Sequence, residues 1–398
     1  MLTSRVWWRS PQLRADDERS VGWLELFFDL VFVVVISRLA HQLIGEPSLR
    51  LVVEFLAQFV AVFWIWNAFT YYSERFESGG IEDRLFVFLA LVPVAALAVF
   101  ADGGLNEQYL EFAIAYLAAR VVFVSGCLRA ARHVPAFRPV AVRFLVGFAV
   151  MASLILVSLG RSADTRLALW IAAVVVDVAV PAFTVRQQAV LPPISADKFP
   201  ERFGLFTIIV LGESIIGVIS GFSELSDDGN LSGSAWAAGP LGLAIGFGLW
   251  WVYFDFIARR PPRSRFTAAL AWVYLHMATV TTITMAGVGI FNAIADTASG
   301  GLRPSSQRML TGGVGLALVS IALLETTLHR RQDEPTNALV GPARKLAVGG
   351  AVLVIGWAPI VWSTVPLLAA LVTALAVEAA FGVATSYRRS PTGSTGRW

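Results

Sequence analysis

Residues 22–44 read GWLELFFDLVFVVVISRLAHQLI, and residues 203–222 read FGLFTIIVLGESIIGVISGF. Each is about as long as a helix must be to cross a bilayer, roughly 20 residues at 1.5 Å per residue. Each also carries acids where a hydrocarbon-embedded helix pays for them: Glu25 and Asp29 in the first, Glu213 in the second. Similar apolar runs recur along the chain, near 51–72, 84–101, 109–128, 140–160, 166–185, 235–257, 267–291, 308–328, 345–361 and 365–386. The reading is an all-α polytopic membrane bundle of about twelve spanning helices.

Composition agrees. Of 398 residues, 56% are hydrophobic and 15% charged, against about a quarter charged in soluble domains. Mean hydropathy is +0.67. Nucleic-acid binding, a secreted disulfide scaffold and intrinsic disorder do not fit these figures. The single cysteine, Cys127, excludes internal disulfides and any multi-cysteine metal site.

Loop charge tests the count of spans. With the N-terminus inside, the outer loops hold only Arg50, Arg161, Arg166, Arg303 and Arg308 of the 31 basic residues. Nearly all the others fall in inner segments, for example Arg129, Arg132, Arg138 and Arg143, or Arg259, Arg260, Arg263 and Arg265. A miscounted helix would scramble this alternation, so the positive-inside bias predicts twelve spans with both termini cytoplasmic. The expected organisation is a cytoplasmic segment 1–21, a bundle 22–386 and a cytoplasmic tail 387–398. No cleavable signal peptide is expected, because the first twenty residues are polar and Glu25 and Asp29 interrupt the first apolar run. Trp7 and Trp8 beside Arg5 and Arg9 suit an interfacial segment.

Twelve spans invite two halves of six, 22–185 and 203–386. A shift of about 183 lays Glu18-Arg19 and Val35-Ile36-Ser37 over Glu201-Arg202 and Val218-Ile219-Ser220. A shift of about 186 lays Phe63-Trp64-Ile65-Trp66 over Leu249-Trp250-Trp251-Val252. The pattern is that of a parallel 6+6 pseudo-repeat.

An ionisable group at a span's centre costs roughly 2.5–3.5 kcal/mol on insertion scales, so it persists when paired, hydrated or used. Asp29, Arg120, Asp177, Glu213 and His276 lie in the middle thirds of their spans. Glu25, Arg38, His41, Asp255 and Glu325 lie nearer the ends, where snorkelling explains them. Spacing assigns faces. Glu25 and Asp29, four apart, share one face, whereas Arg38 lies opposite Asp29. Arg202, Phe206, Glu213, Gly217 and Ser220 form one stripe. Asp177 shares a stripe with Pro181 and Thr184, and that proline frees a backbone carbonyl beside the acid. The deep acids outnumber Arg120, the one deep permanent cation, so the count leaves a carboxylate free to titrate.

Bland readings stand beside these. Arg120 with one acid makes a structural ion pair. His276 alone makes a core histidine. Trp64, Trp66, Trp250 and Trp251 read as interfacial anchors, and Gly242 and Gly246 as packing positions. No HExxH, P-loop, GxSxG or paired-histidine spacing is present in the sequence, so no enzyme class, cofactor or metal is expected.

Leu24-Glu25-Leu26-Phe27-Phe28-Asp29-Leu30-Val31-Phe32-Val33 resembles the opening-helix signature of the bacterial low temperature requirement A family. The stretch from Glu201-Arg202 through Gly212-Glu213-Ser214-Ile215 is similar to its second signature, and Trp250-Trp251-Val252-Tyr253-Phe254-Asp255 to a looser third. The resemblance runs over about residues 20 to 385. It implies a multi-pass bacterial inner-membrane protein tied to growth in the cold, with no substrate to carry over. Glu25, Asp29, Glu201, Arg202, Glu213 and Ser214 match the signatures position by position, which adds weight to a site shared by the first and seventh spans.

The expectation drawn from all this is a proton-coupled secondary transporter of a small solute or ion, with no nucleic-acid partner and the oligomeric state left open. Asp29 and Glu213 are its coupling candidates. Asp177, Arg120, Glu25, Arg202, Ser214 and His276 are further candidates. The alternatives are a non-transporting structural or sensory protein, and a lipid-handling enzyme using Glu25 and Asp29 as acid and base.

Overall fold

The computed structural model describes residues 10–14, 22–77, 80–192, 198–227, 229, 231–258, 260–263, 265–299, 301–329 and 339–387. Trp7, Trp8 and most of the N-terminal segment, and the tail beyond Tyr387, lie outside the described residues. The fold is a polytopic helical bundle. Twelve long helices account for it: α1 (Trp23–His41), α2 (Leu49–Arg75), α3 (Ile81–Val99), α4 (Tyr109–His133), α5 (Arg138–Ser158), α6 (Ala163–Ala179), α8 (Lys198–Asp227), α9 (Gly233–Tyr253), α10 (Phe266–Ala295), α11 (Pro304–Thr327), α12 (Val340–Trp357) and α13 (Thr364–Tyr387). A single turn, α7 (Val185–Gln188), follows the 3-10 stretch Val180–Thr184. A two-residue antiparallel ladder joins β1 (Gln12–Leu13) to β2 (Phe76–Glu77).

Ten of the long helices are apolar enough to cross a membrane on length and composition alone. The other two are α1, which carries Glu25, Asp29 and Arg38, and α3, which opens on Glu82, Asp83 and Arg84. The surface of α1 shows how it fits a bilayer all the same. Trp23, Phe27, Leu30 and Val34 form its outward stripe, while Phe28, Asp29, Phe32, Val35 and Ile36 face inward and are buried. Apolar side chains outside and an acid inside is the reverse of a soluble helix, and it suits lipid as the outer solvent.

Helix ends follow local chemistry. Ser48 Oγ accepts from Leu51 N at 3.2 Å to cap α2, and Ser232 Oγ accepts from Ala235 N at 3.2 Å to cap α9. Pro181 lacks the N–H that would bond the Asp177 carbonyl, so α6 ends at Ala179 and tightens into the 3-10 stretch. Pro200 sits in the first turn of α8, where a missing N–H costs nothing.

The chain divides into two compact units. The first comprises residues 1–43, 47–202 and 264–270; the second comprises 44–46, 203–263 and 271–398. The division falls inside α8, after Arg202, and inside α10, after Leu270. In the first unit α1 packs on α2 and α3, and α4 on α2, α3 and α5, with α6 closing against α2 and α5. In the second, α9 packs on α13, α11 on α12, and glycines let α10 approach its neighbours closely.

Candidate functional site

In the first unit the acids of α1 meet the first turns of α8. Asp29, fully buried, accepts through Oδ1 from Trp66 Nε1 and from Arg202 Nη2, each at 2.7 Å. Arg202 is also buried and donates through Nη1 to Ser73 Oγ at 2.7 Å. One turn earlier on α8, Lys198 Nζ bridges Glu25 Oε1 at 3.4 Å and Glu74 Oε1 at 3.3 Å. Glu25 doubles as a helix cap, accepting from Gly22 N at 3.0 Å through Oε2. Glu25, Asp29 and Glu74 are thus three carboxylates held by two cations, Lys198 and Arg202. Arg14 stands close enough to act electrostatically on Glu25 and Glu74. Removing such groups from water costs several kcal/mol per ion, which close pairing offsets only in part.

A second pair lies elsewhere in the same unit. Arg120 of α4 forms a buried ion pair with Asp177 of α6, whose Oδ2 also accepts from Tyr116 OH at 2.7 Å. The Asp177 carbonyl that Pro181 leaves open accepts from Trp64 Nε1 at 3.1 Å. The guanidinium carbon of Arg120 stands 4.9 Å from the Phe123 ring centroid.

In the second unit Glu213 and Ser214 are buried where α8 and α10 nearly touch. A Cβ on Gly287 would meet the Glu213 carbonyl carbon at 2.9 Å, and one on Gly217 would meet Gly287 O at 2.5 Å. Gly246 of α9 leaves room for Ser214 in the same way, with a Cβ there 2.9 Å from Ser214 Cβ. Two helices can approach so closely only over glycine. His276 has both ring nitrogens occupied inside this unit: Nδ1 lies 2.9 Å from Trp272 O and Nε2 lies 3.0 Å from Tyr253 OH. That environment is what a core histidine has.

Several expectations need correction. The Trp64 and Trp66 side chains are not interfacial anchors, since both are buried and hydrogen-bonded to acids' residues within the first unit. Glu25 and Asp29 share a face but each takes its own cation. The count of deep acids against one deep cation omitted Arg202, which is buried on Asp29 although it lies near a helix end. Glu325 is held by Lys345 at 2.8 Å and Arg260 at 3.7 Å, not merely snorkelling. Arg38, by contrast, is exposed as a residue near a span end would be, and it meets Asp102 at 3.4 Å.

Sequence reasoning passed over Glu74, Lys198, Lys345 and Glu378, all buried. Arg344 and Glu378 pair at 2.6 Å in the second unit. For Glu74, Lys198 and Lys345 the available signal was a charge near a helix end, where a partner on a neighbouring helix can replace water; Glu378 lies in the middle of α13, where depth alone marked it. Glu201, beside Arg202, is exposed. Among the described residues, no group of three or more His, Cys, Asp or Glu converges as for a metal ion.

Comparison with known proteins adds the lineage. The sequence profile described as "Bacterial low temperature requirement A protein (LtrA)" matches residues 20–381. The chain is similar to an uncharacterized protein of Rhizobium meliloti (strain 1021), 27% identical over 294 residues that cover 69% of each chain. No solved structure matches the chain.

Proposed function

The chain belongs to the bacterial low temperature requirement A family, and on that premise we propose that it is a proton-coupled secondary transporter of a small solute in the bacterial inner membrane. One observation carries the reading: three buried carboxylates, Glu25, Asp29 and Glu74, share two cations, Lys198 and Arg202, at one end of the first unit. Direct ion pairs link the three carboxylates to two cations, and Arg14 acts on Glu25 and Glu74 only through space. A carboxyl in such a cluster takes and gives a proton with small rearrangement, because Lys198 already serves two acids.

In this reading Asp29 is fixed by Arg202 and Trp66, with Ser73 holding Arg202, and it orients the cluster. Glu25 and Glu74 exchange the proton across Lys198. Glu213 and Ser214 in the second unit remain coupling candidates, buried at a glycine-lined helix crossing where a small shift of α8 against α10 changes their surroundings. Arg120 and Asp177 neutralise one another and brace α4 against α6. His276 supports the core of the second unit.

The test is proton flux into proteoliposomes, followed with a pH-reporting dye under an imposed gradient and a panel of solutes. Solute-dependent flux in the wild type, lost in Glu74→Gln and Glu213→Gln preparations that remain folded, is the expected result. Flux unchanged in Glu74→Gln removes the cluster from the pathway, and unchanged flux in Glu213→Gln removes that residue. Solute-independent leak that needs Glu74 makes the protein a channel. Absence of flux with all solutes favours the structural reading, in which these groups only specify helix packing.

A further inference from the structure

Beside the acid–base cluster, and wholly within the first unit, lies a cavity of about 140 Å³. Five aromatic rings line it: Phe28, Phe69, Tyr72, Phe76 and Phe86. The rings touch in sequence, with centroids 5.3 Å apart for Phe28–Phe69, 5.4 Å for Phe69–Phe86, 4.8 Å for Phe86–Tyr72 and 5.1 Å for Tyr72–Phe76. Two guanidiniums, Arg14 and Arg202, and two carboxylates, Glu25 and Asp83, line it as well.

The two guanidiniums differ in how they are employed. Arg202 is committed to Asp29 and Ser73. Arg14 is anchored by its backbone, N to Arg75 O at 3.1 Å. Its Nε and Nη1 are buried with no hydrogen-bond partner among the described residues, and its side chain makes no ion pair there. A guanidinium that lines a cavity without an ion pair matches a carboxylate in charge. Aromatic rings and carboxylates lining the same cavity match an alkylated ammonium.

Neither half suffices alone. A simple anion in this cavity meets Glu25 and Asp83; a simple cation meets Arg14 and Arg202. A guest carrying both charges presents its anionic end to Arg14 and its cationic end to the carboxylates. Size agrees, since a cavity of about 150 Å³ holds a benzene-sized molecule. We infer that this cavity binds a small zwitterion, its carboxylate on Arg14 and its alkylated ammonium against the aromatic rings beside Glu25 and Asp83.

Arg14 acts electrostatically on Glu25 and Glu74, which share Lys198, so a guest on Arg14 lies beside the acid–base cluster. Calling the guest a substrate rests on the transport reading; its binding does not.

The experiment is equilibrium dialysis of radiolabelled trimethylglycine against the full chain in phosphatidylglycerol nanodiscs, which contain no ammonium headgroup. Saturable binding is expected, competed by unlabelled trimethylglycine and not by equal concentrations of choline, which lacks the carboxylate, or pivalate, which lacks the ammonium. Arg14→Gln weakens it by about tenfold or more, the scale of a lost charge-assisted hydrogen bond. Phe86→Leu weakens it too, and both variants remain folded at the temperature of the assay. No saturable binding, equal competition by choline or pivalate, or an undiminished Arg14→Gln overturns the inference. Stronger competition by phosphocholine overturns it in favour of a lipid headgroup. Binding without flux retires the transport reading and leaves the site standing; flux of some other solute, with no binding here, does the reverse.

Discussion

Arg202 and Asp29, 173 residues apart in the chain, meet at 2.7 Å with both side chains buried. Each belongs to one of the two stretches that resemble family signatures, so an ion pair joins those stretches. Removing one member strands the other charge, which costs about 3–5 kcal/mol for a buried pair. Asp29→Ala and Arg202→Met singly should therefore destabilise strongly in denaturant titrations in detergent. The double variant should recover much of the loss. Additive losses would mean that the two side chains do not interact.

Ser73 gives a finer probe of the same arrangement. Its hydroxyl receives Arg202 Nη1 at 2.7 Å. Ser73→Ala should cost about 1–3 kcal/mol, because a buried charged donor is left without its acceptor. Ser73→Thr, which keeps the hydroxyl, should cost less, and unfolding midpoints read the difference.

Close helix approach in the second unit makes a steric prediction. A Cβ on Gly217 would stand 2.5 Å from Gly287 O, which backbone cannot yield without moving a helix. Gly217→Ala should lower stability by about 1–3 kcal/mol, the range for overpacking a tight core. Gly212→Ala, on the same helix with nothing within 4 Å of its added Cβ, should be close to neutral. Thermal unfolding of the two variants side by side tests this.

Tyr253 and His276 separate packing from transport. Their side chains meet at 3.0 Å inside the second unit, and the proposed pathway does not use them. Tyr253→Phe should cost about 1 kcal/mol of stability, the net worth of one hydrogen bond. Its solute-dependent proton flux per folded molecule should match the wild type. A collapse of flux at unchanged stability would bring His276 into the mechanism.

The twelve long helices were legible because a bilayer forces apolar runs of fixed length, and loop arginines report which side each run ends on. Their ends were less so. The seventh span begins at Lys198 rather than near 203 because Pro200 is tolerated in a first turn, and the sixth gives way at Ala179 because Pro181 cannot continue it. Asp29, Arg120 and Asp177 could be picked out singly from depth and residue type, and Arg202 from the signature it matches. Who pairs with whom could not, because partners lie on helices far apart in sequence and a helical wheel fixes a face without naming its neighbour. Glu74 and Lys198 escaped for another reason. Depth along the span assigned charges near helix ends to water, whereas both are buried against one another.

The central claim is that a carboxyl of the Glu25–Asp29–Glu74 cluster takes up and releases a proton. Infrared difference spectroscopy of the wild type and Glu74→Gln in nanodiscs, stepped through the physiological pH range, reads carboxyl protonation directly. The account predicts a protonated-carboxyl band that appears as pH falls and is lost or displaced in Glu74→Gln, with the amide bands of the folded helices unchanged. A wild type with no titrating carboxyl band, or a band untouched by Glu74→Gln, Asp29→Asn and Glu25→Gln alike, would contradict it.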